Sequence, residues 1–225
     1  MLKTNFCCYS QKLALVLLCG FIVSCFFSRS GKAEPNSPTK PAAAFCACCP
    51  EHGMWEQQPR KLGEFESEGL AKLKFDQKVY LYLTAASPDD IKGVELSGTD
   101  EEGVTVRFSP SPRNWALDFK GKKGETGKLI LTLPTSATFF HADVRNDPKS
   151  WAAPDSVYKE VRFEGLVQGT GIFAKGLTAH TKYRLVLQGQ GGTCFDASQF
   201  YRWNLRVSGA NAEYTLYGFF SKGQQ

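Results

Sequence analysis

The chain has 225 residues, 42% hydrophobic and 13% aromatic, with 27 basic residues against 22 acidic ones and a formal net charge of +5. Four of the basic residues, Lys3, Lys12, Arg29 and Lys32, precede the first acid, Glu34. Without them 23 basic residues face 22 acidic ones, a net charge of +1, which excludes the electrostatic footprint of a nucleic-acid-binding domain.

Residues 1–33 have the order of an export signal. A basic start is followed by the apolar run Leu13 to Phe27 and then by small polar residues, with Gly31 and Ala33 placed for cleavage after Ala33. The run has the length of a signal-peptide core rather than of a full membrane span. Ile22-Val23-Ser24-Cys25 resembles a bacterial lipobox, which would make Cys25 an acylated N-terminus and attach the protein to a membrane; an uncut signal would do the same. All three fates place the body outside the cytoplasm. The chain from Glu34 onward has no Asn-x-Ser/Thr acceptor, which fits a bacterial periplasm, envelope or extracellular setting.

Residues 34–44 (EPNSPTKPAAA) carry three prolines and no large apolar side chain, the composition of a disordered tether. A Cys-rich segment, residues 45–75, follows. It opens with Phe45-Cys46-Ala47-Cys48-Cys49-Pro50-Glu51-His52, where three thiols and an imidazole lie within seven residues. The mixed, charged pattern from Glu56 to Phe75 selects neither helix nor strand.

From Val79 the period is two. Val79 and Leu81, then Val104, Val106 and Phe108, then Trp115, Leu117 and Phe119 alternate with polar or small residues, so each run turns one face inward and the other to water. Further strands are expected at Lys128 to Leu133 and Thr138 to Val144. In Tyr158 to Val167, Val161 and Phe163 are assigned inward, and Lys159, Arg162 and Glu164 outward. Tyr183 to Gln188, Trp203 to Ser208 and Tyr214 to Phe219 complete the set. Gly209 to Ala212 reads as a hairpin turn, and Gly165 to Gly176 as a strand, a bulge and a second strand. The expected fold is therefore all-β, an antiparallel sandwich or barrel of about 8–10 short strands occupying residues 76–225, with no amphipathic helix.

Two chemistries compete for the cysteines. Cys46, Cys48, Cys49 and His52 supply soft thiolate and imidazole ligands suited to Zn or Cu, with the Cys46/Cys49 and Cys49/His52 spacings able to close on one ion. In an exported protein the four body cysteines, Cys46, Cys48, Cys49 and Cys194, read first as two disulfides, one fastening the N-terminal segment to the loop at Cys194. Dithiol redox chemistry through Cys46 and Cys49 lacks its usual strand-to-helix context. His141 and Asp143, two apart on one strand, share a side and read as a surface pair that could also orient a base or hold a metal. His180 falls in a turn. The aromatics Phe195, Phe200, Tyr201 and Trp203 suit either the end of a core or stacking on sugar. No nucleophile elbow, zinc-protease, phosphate-loop or calcium motif is present. The sequence thus points to an exported binding or structural module for a protein or glycan ligand, with a metal-binding protein and an envelope enzyme as the alternatives.

Overall fold

A computed structural model describes residue 50 and residues 53–82, 91–95, 104–111, 113–144 and 157–221. The signal segment with Cys25, the tether, and Cys46, Cys48, Cys49 and His52 lie outside the described residues.

Ten strands form one antiparallel sheet: β1 (Trp55–Lys61), β2 (Phe75–Tyr82), β3 (Val104–Pro110), β4 (Asn114–Lys120), β5 (Thr126–Thr132), β6 (Ser136–Asp143), β7 (Val157–Gly171), β8 (Lys182–Gln190), β9 (Phe200–Ser208) and β10 (Glu213–Phe220). One short helix, α1 (Glu64–Ala71), lies between β1 and β2. Strands β7, β5, β4, β3, β2, β10, β9 and β8 follow one another, and β8 pairs back onto β7. The fold is thus a closed eight-stranded barrel, not a sandwich. Each of those eight strands has a neighbour on both sides, although β2 and β3 meet only at Lys78–Thr105 and Val79–Val104.

The length of β7 makes this possible. Its first half, Val157 to Arg162, pairs with β6, and its last five residues, Val167 to Gly171, pair with β5. Its other edge runs along β8 from Tyr158 to Leu166. The sheet therefore forks, and β6 and β1 leave the barrel as a two-stranded wing.

Alternation fills the interior. Val79, Val106, Trp115, Leu117, Phe119, Leu129 and Leu131 are buried from one side of the ring, and Phe163, Leu185, Leu187, Trp203, Leu205 and Leu216 from the other. At the wing end Phe75 packs on Phe108 (centroids 3.8 Å apart), on Trp115 (5.8 Å) and on Trp203 (5.5 Å). Trp203 lies against Gly218, where an added Cβ would come within 2.8 Å of the indole. The large ring and the missing side chain are one packing decision. The indole Nε1 of Trp203 and the hydroxyl of Tyr214 are buried without a hydrogen-bond partner among the described residues.

Two expectations change here. Gly165 to Gly176 is not strand, bulge and strand. β7 continues in unbroken register through Gly169-Thr170-Gly171 and then enters a turn. Gly171, at φ 63°, ends the strand where a Cβ would sit 2.1 Å from the Thr126 carbonyl oxygen. The segment Glu56 to Phe75, undecided in sequence, supplies a strand, a helix and the start of β2. The Gly209–Ala212 turn forms as expected, closed by Gly209 N–H donating to the Ala212 carbonyl at 2.7 Å.

Candidate functional site

Four pieces meet at the wing end: α1, the loop from Gly191 to Gln199 that joins β8 to β9, the start of β9 and the end of β10. Helix α1 is fixed at its N-terminus. Glu66 Oε2 accepts from the Gly63 N–H at 2.9 Å, and Ser67 Oγ donates to the Gly63 carbonyl at 2.8 Å. Arg60 binds Glu66 at 2.8 Å and lies 3.7 Å over the Phe139 ring. The helix buries Leu70 and carries Phe65 edge-on to Phe195.

The loop is held from inside the barrel. Lys159 stands on the same face of β7 as Val161 and Phe163 and is 1% exposed. Its Nζ donates to the Thr193 carbonyl at 2.6 Å and to Gln199 Oε1. Burial lowers its pKa from the usual lysine value to about 8, with the Asp196 carboxylate pulling the other way. His141, its register partner on β6, donates from Nε2 to the Cys194 carbonyl at 3.3 Å. Burial lowers the His141 pKa, and the Lys159 charge adds to that, against the opposing effect of the Cys194 carbonyl. Asp196 caps a single 3-10 turn (Ala197–Gln199), its Oδ1 accepting from the Ser198 N–H at 2.9 Å and the Ser198 hydroxyl at 2.7 Å.

Between helix and loop runs an open groove of about 1130 Å³. Its apolar lining is Phe65, Phe195, Phe200, Tyr201, Phe219 and Phe220. Phe195, Phe200 and Phe220 are buried, whereas Phe65, Tyr201 and Phe219 are 68%, 42% and 44% exposed. Lys72, Lys74, Asp196 and Ser198 supply the polar part. A second cleft of about 490 Å³ shares Leu73 and Lys74 with it and adds Arg107.

On the outer face of the barrel a separate polar network joins β7, β8 and β9. Glu160 accepts from the Tyr158 hydroxyl, from Arg162 Nε at 2.6 Å and from Gln188 at 3.2 Å. Arg202 donates to Gln188 at 2.8 Å. Burial alone would raise the Glu160 carboxyl, but these donors outweigh it and the pKa falls; the Tyr158 hydroxyl, buried beside that carboxylate, is pushed up. The network ties three neighbouring strands together through their side chains.

The sequence-derived site residues are redistributed as follows. Lys159, assigned outward on account of its charge, is inside. His141 and Asp143 do share a side, but it is the inner one, and Asp143 is 7% exposed, so they are not a surface pair. His180 lies in the β7–β8 turn at the opposite end, its backbone N–H donating to Thr178 Oγ1 at 3.3 Å. Of the four aromatics weighed for stacking, only Tyr201 is exposed; Phe195, Phe200 and Trp203 are core. Cys194 is the one cysteine among the described residues, and every other cysteine lies outside them. Among the described residues no three His, Cys, Asp or Glu side chains gather as metal ligands, and no helix is long and apolar enough to cross a membrane. Sequence reasoning missed the groove because α1 and the exposed Phe219 carry no motif. The signal for Lys159 was present, since the period of two runs through it.

No protein-family model matches the chain, no curated protein matches it, and no solved structure matches its fold.

Proposed function

We propose that the protein is an exported binding module that takes an apolar ligand in the groove at the wing end of its barrel, with the Cys-rich segment stapled beside it. The observation that carries this reading is the exposure of Phe65, Tyr201 and Phe219 together in one concavity. Single exposed aromatics are ordinary, but a concave group of them framed by a rigid sheet is the usual form of a ligand site. Binding is favoured over catalysis by the polar inventory. Asp196 is committed to capping, and Lys159 and His141 are committed to the loop behind the groove.

The neutral fluorophore N-phenyl-1-naphthylamine tests the reading. Wild type binds it saturably, with a blue-shifted emission. Phe219→Ser combined with Tyr201→Ser weakens binding by about tenfold while the thermal midpoint holds, because both side chains are already half in water. Unchanged binding by the double variant would refute the groove as the site.

The staple pairs Cys194 with one of Cys46, Cys48 and Cys49. Support comes from strand register: Glu56 pairs with His141, and His141 touches Cys194. The seven steps from Cys49 to Glu56 span roughly 23 Å when extended, so all three thiols are within reach. Cys194→Ser is expected to cost about 2–5 kcal/mol. The measurement is the urea midpoint at unchanged slope. A metal site confined to Cys46, Cys48, Cys49 and His52 predicts no change in that midpoint.

A further inference from the structure

We infer that the groove's ligand is a free single-chain amphiphile with an anionic head group; this rests on the groove being the binding site. Three observations carry it. First, the floor is a run of buried apolar side chains, Leu73, Phe195, Phe200 and Phe220, continued outward by Phe65 and Phe219. Such a surface takes up an alkyl or aryl tail by burial alone.

Second, the rim is cationic. Lys72 and Lys74 border the groove, and Arg107 borders the cleft that shares Leu73 and Lys74 with it. None of the three has an ion-pair partner among the described residues. Among the described residues the one acid in either lining is Asp196, and its Oδ1 already accepts two hydrogen bonds from Ser198. A head group entering here meets unpaired positive charge beside an apolar floor.

Third, the backbone at the groove is spent. β9 is paired on both sides, to β8 and β10, and β10 on both sides, to β9 and β2. An extended peptide relies on main-chain hydrogen bonds to an open strand edge, and neither β9 nor β10 offers one here; the stretch where β2 and β3 part borders only the second cleft. What remains is apolar contact and point charge, the chemistry of an amphiphile.

Displacement of N-phenyl-1-naphthylamine by three decyl compounds below their micelle concentrations tests the inference: decyl sulfate, decyltrimethylammonium and decyl maltoside. Decyl sulfate should displace the probe at about fivefold to tenfold lower concentration than decyltrimethylammonium at low ionic strength, the range expected for two or three exposed charges. That preference should shrink in about 0.5 M salt through screening. Lys72→Gln with Lys74→Gln should bring the three compounds to within about twofold of one another. Equal or tighter displacement by the cationic compound overturns the anionic assignment and leaves the groove standing. A persistent preference in the double lysine variant overturns it as well. Failure of the probe to bind wild type at all removes both the groove and its ligand. Binding to phosphatidylglycerol vesicles without displacement by free decyl sulfate overturns the free amphiphile in favour of a membrane surface.

Discussion

Lys159 is the residue at which charge and periodicity disagree, and periodicity wins. A strand's side chains alternate with no regard for their chemistry, so a lysine between two inward positions goes inside if the backbone register is worth more than its desolvation. Here it is, because the ammonium finds Thr193 and Gln199 waiting. The consequence is a pH dependence with a definite sign. With a folded pKa of about 8 against an ordinary lysine value near 10.5, the unfolded chain holds this proton more tightly over that interval. Stability therefore rises with pH between about 8 and 10.5 through this group, and is indifferent to it below that window. Lys159→Met removes the proton and with it the rise. The thermal midpoint should climb less between pH 8 and pH 10 in the variant than in wild type. An identical climb in both would mean that the lysine titrates normally. His141 acts in the same direction lower down. Its depressed pKa makes acidification below the ordinary histidine range cost stability, since the unfolded chain then takes up the proton first.

Strand β1 was illegible for a reason that belongs to its place at the edge. WEQQPRK has no alternation of apolar and polar residues, because nearly every side chain is exposed. Pairing with β6, not burial, makes it a strand. Its hydrogen bonds also explain a proline in a sheet. Met54 accepts from the Asp143 N–H at 3.0 Å, and Leu62 donates to Thr135 at 3.0 Å. Counting by twos from these, Glu56, Gln58 and Arg60 face β6 with their backbone groups, and Trp55, Gln57, Pro59 and Lys61 face the open side. Pro59 thus sits where an N–H would invite a further strand, and its absence blunts the edge. Pro59→Val restores that donor in a strand-favouring residue. The variant should self-associate with concentration, measured by sedimentation velocity, while wild type does not. A variant with wild-type sedimentation would show that something else guards the edge. Helix α1 was equally hard to see. At eight residues with one buried side chain, Leu70, it has too few turns to display a 3.6-residue period.

At the scale of the whole molecule, the strands were readable and their neighbours were not. Nine of the ten observed strands coincide with expected ones, because each alternation is a local record of which face meets the core. Whether two faces oppose each other or one face curls on itself depends on pairings such as that of β7 with β8 along one edge and with β5 and β6 along the other. Those pairings are written in relative register, which a single strand does not contain. The groove inherits the same opacity. Phe65 and Phe219 are 154 positions apart, and only closure of the ring and docking of α1 place them on one concave wall.

The pairing of β2 with β10 joins the first barrel strand to the last, with Leu81 against Leu216. Seen in time rather than in space, this is a clasp whose second half is made last. Until residues 213–220 have emerged, β2 and β9 each wait with a bare row of amides and carbonyls, and no earlier segment can substitute for the missing strand. A product lacking residues 213–220 is left with two open rows, vulnerable to neighbours and proteases, and a nascent chain depends on whatever shields those rows until that strand arrives.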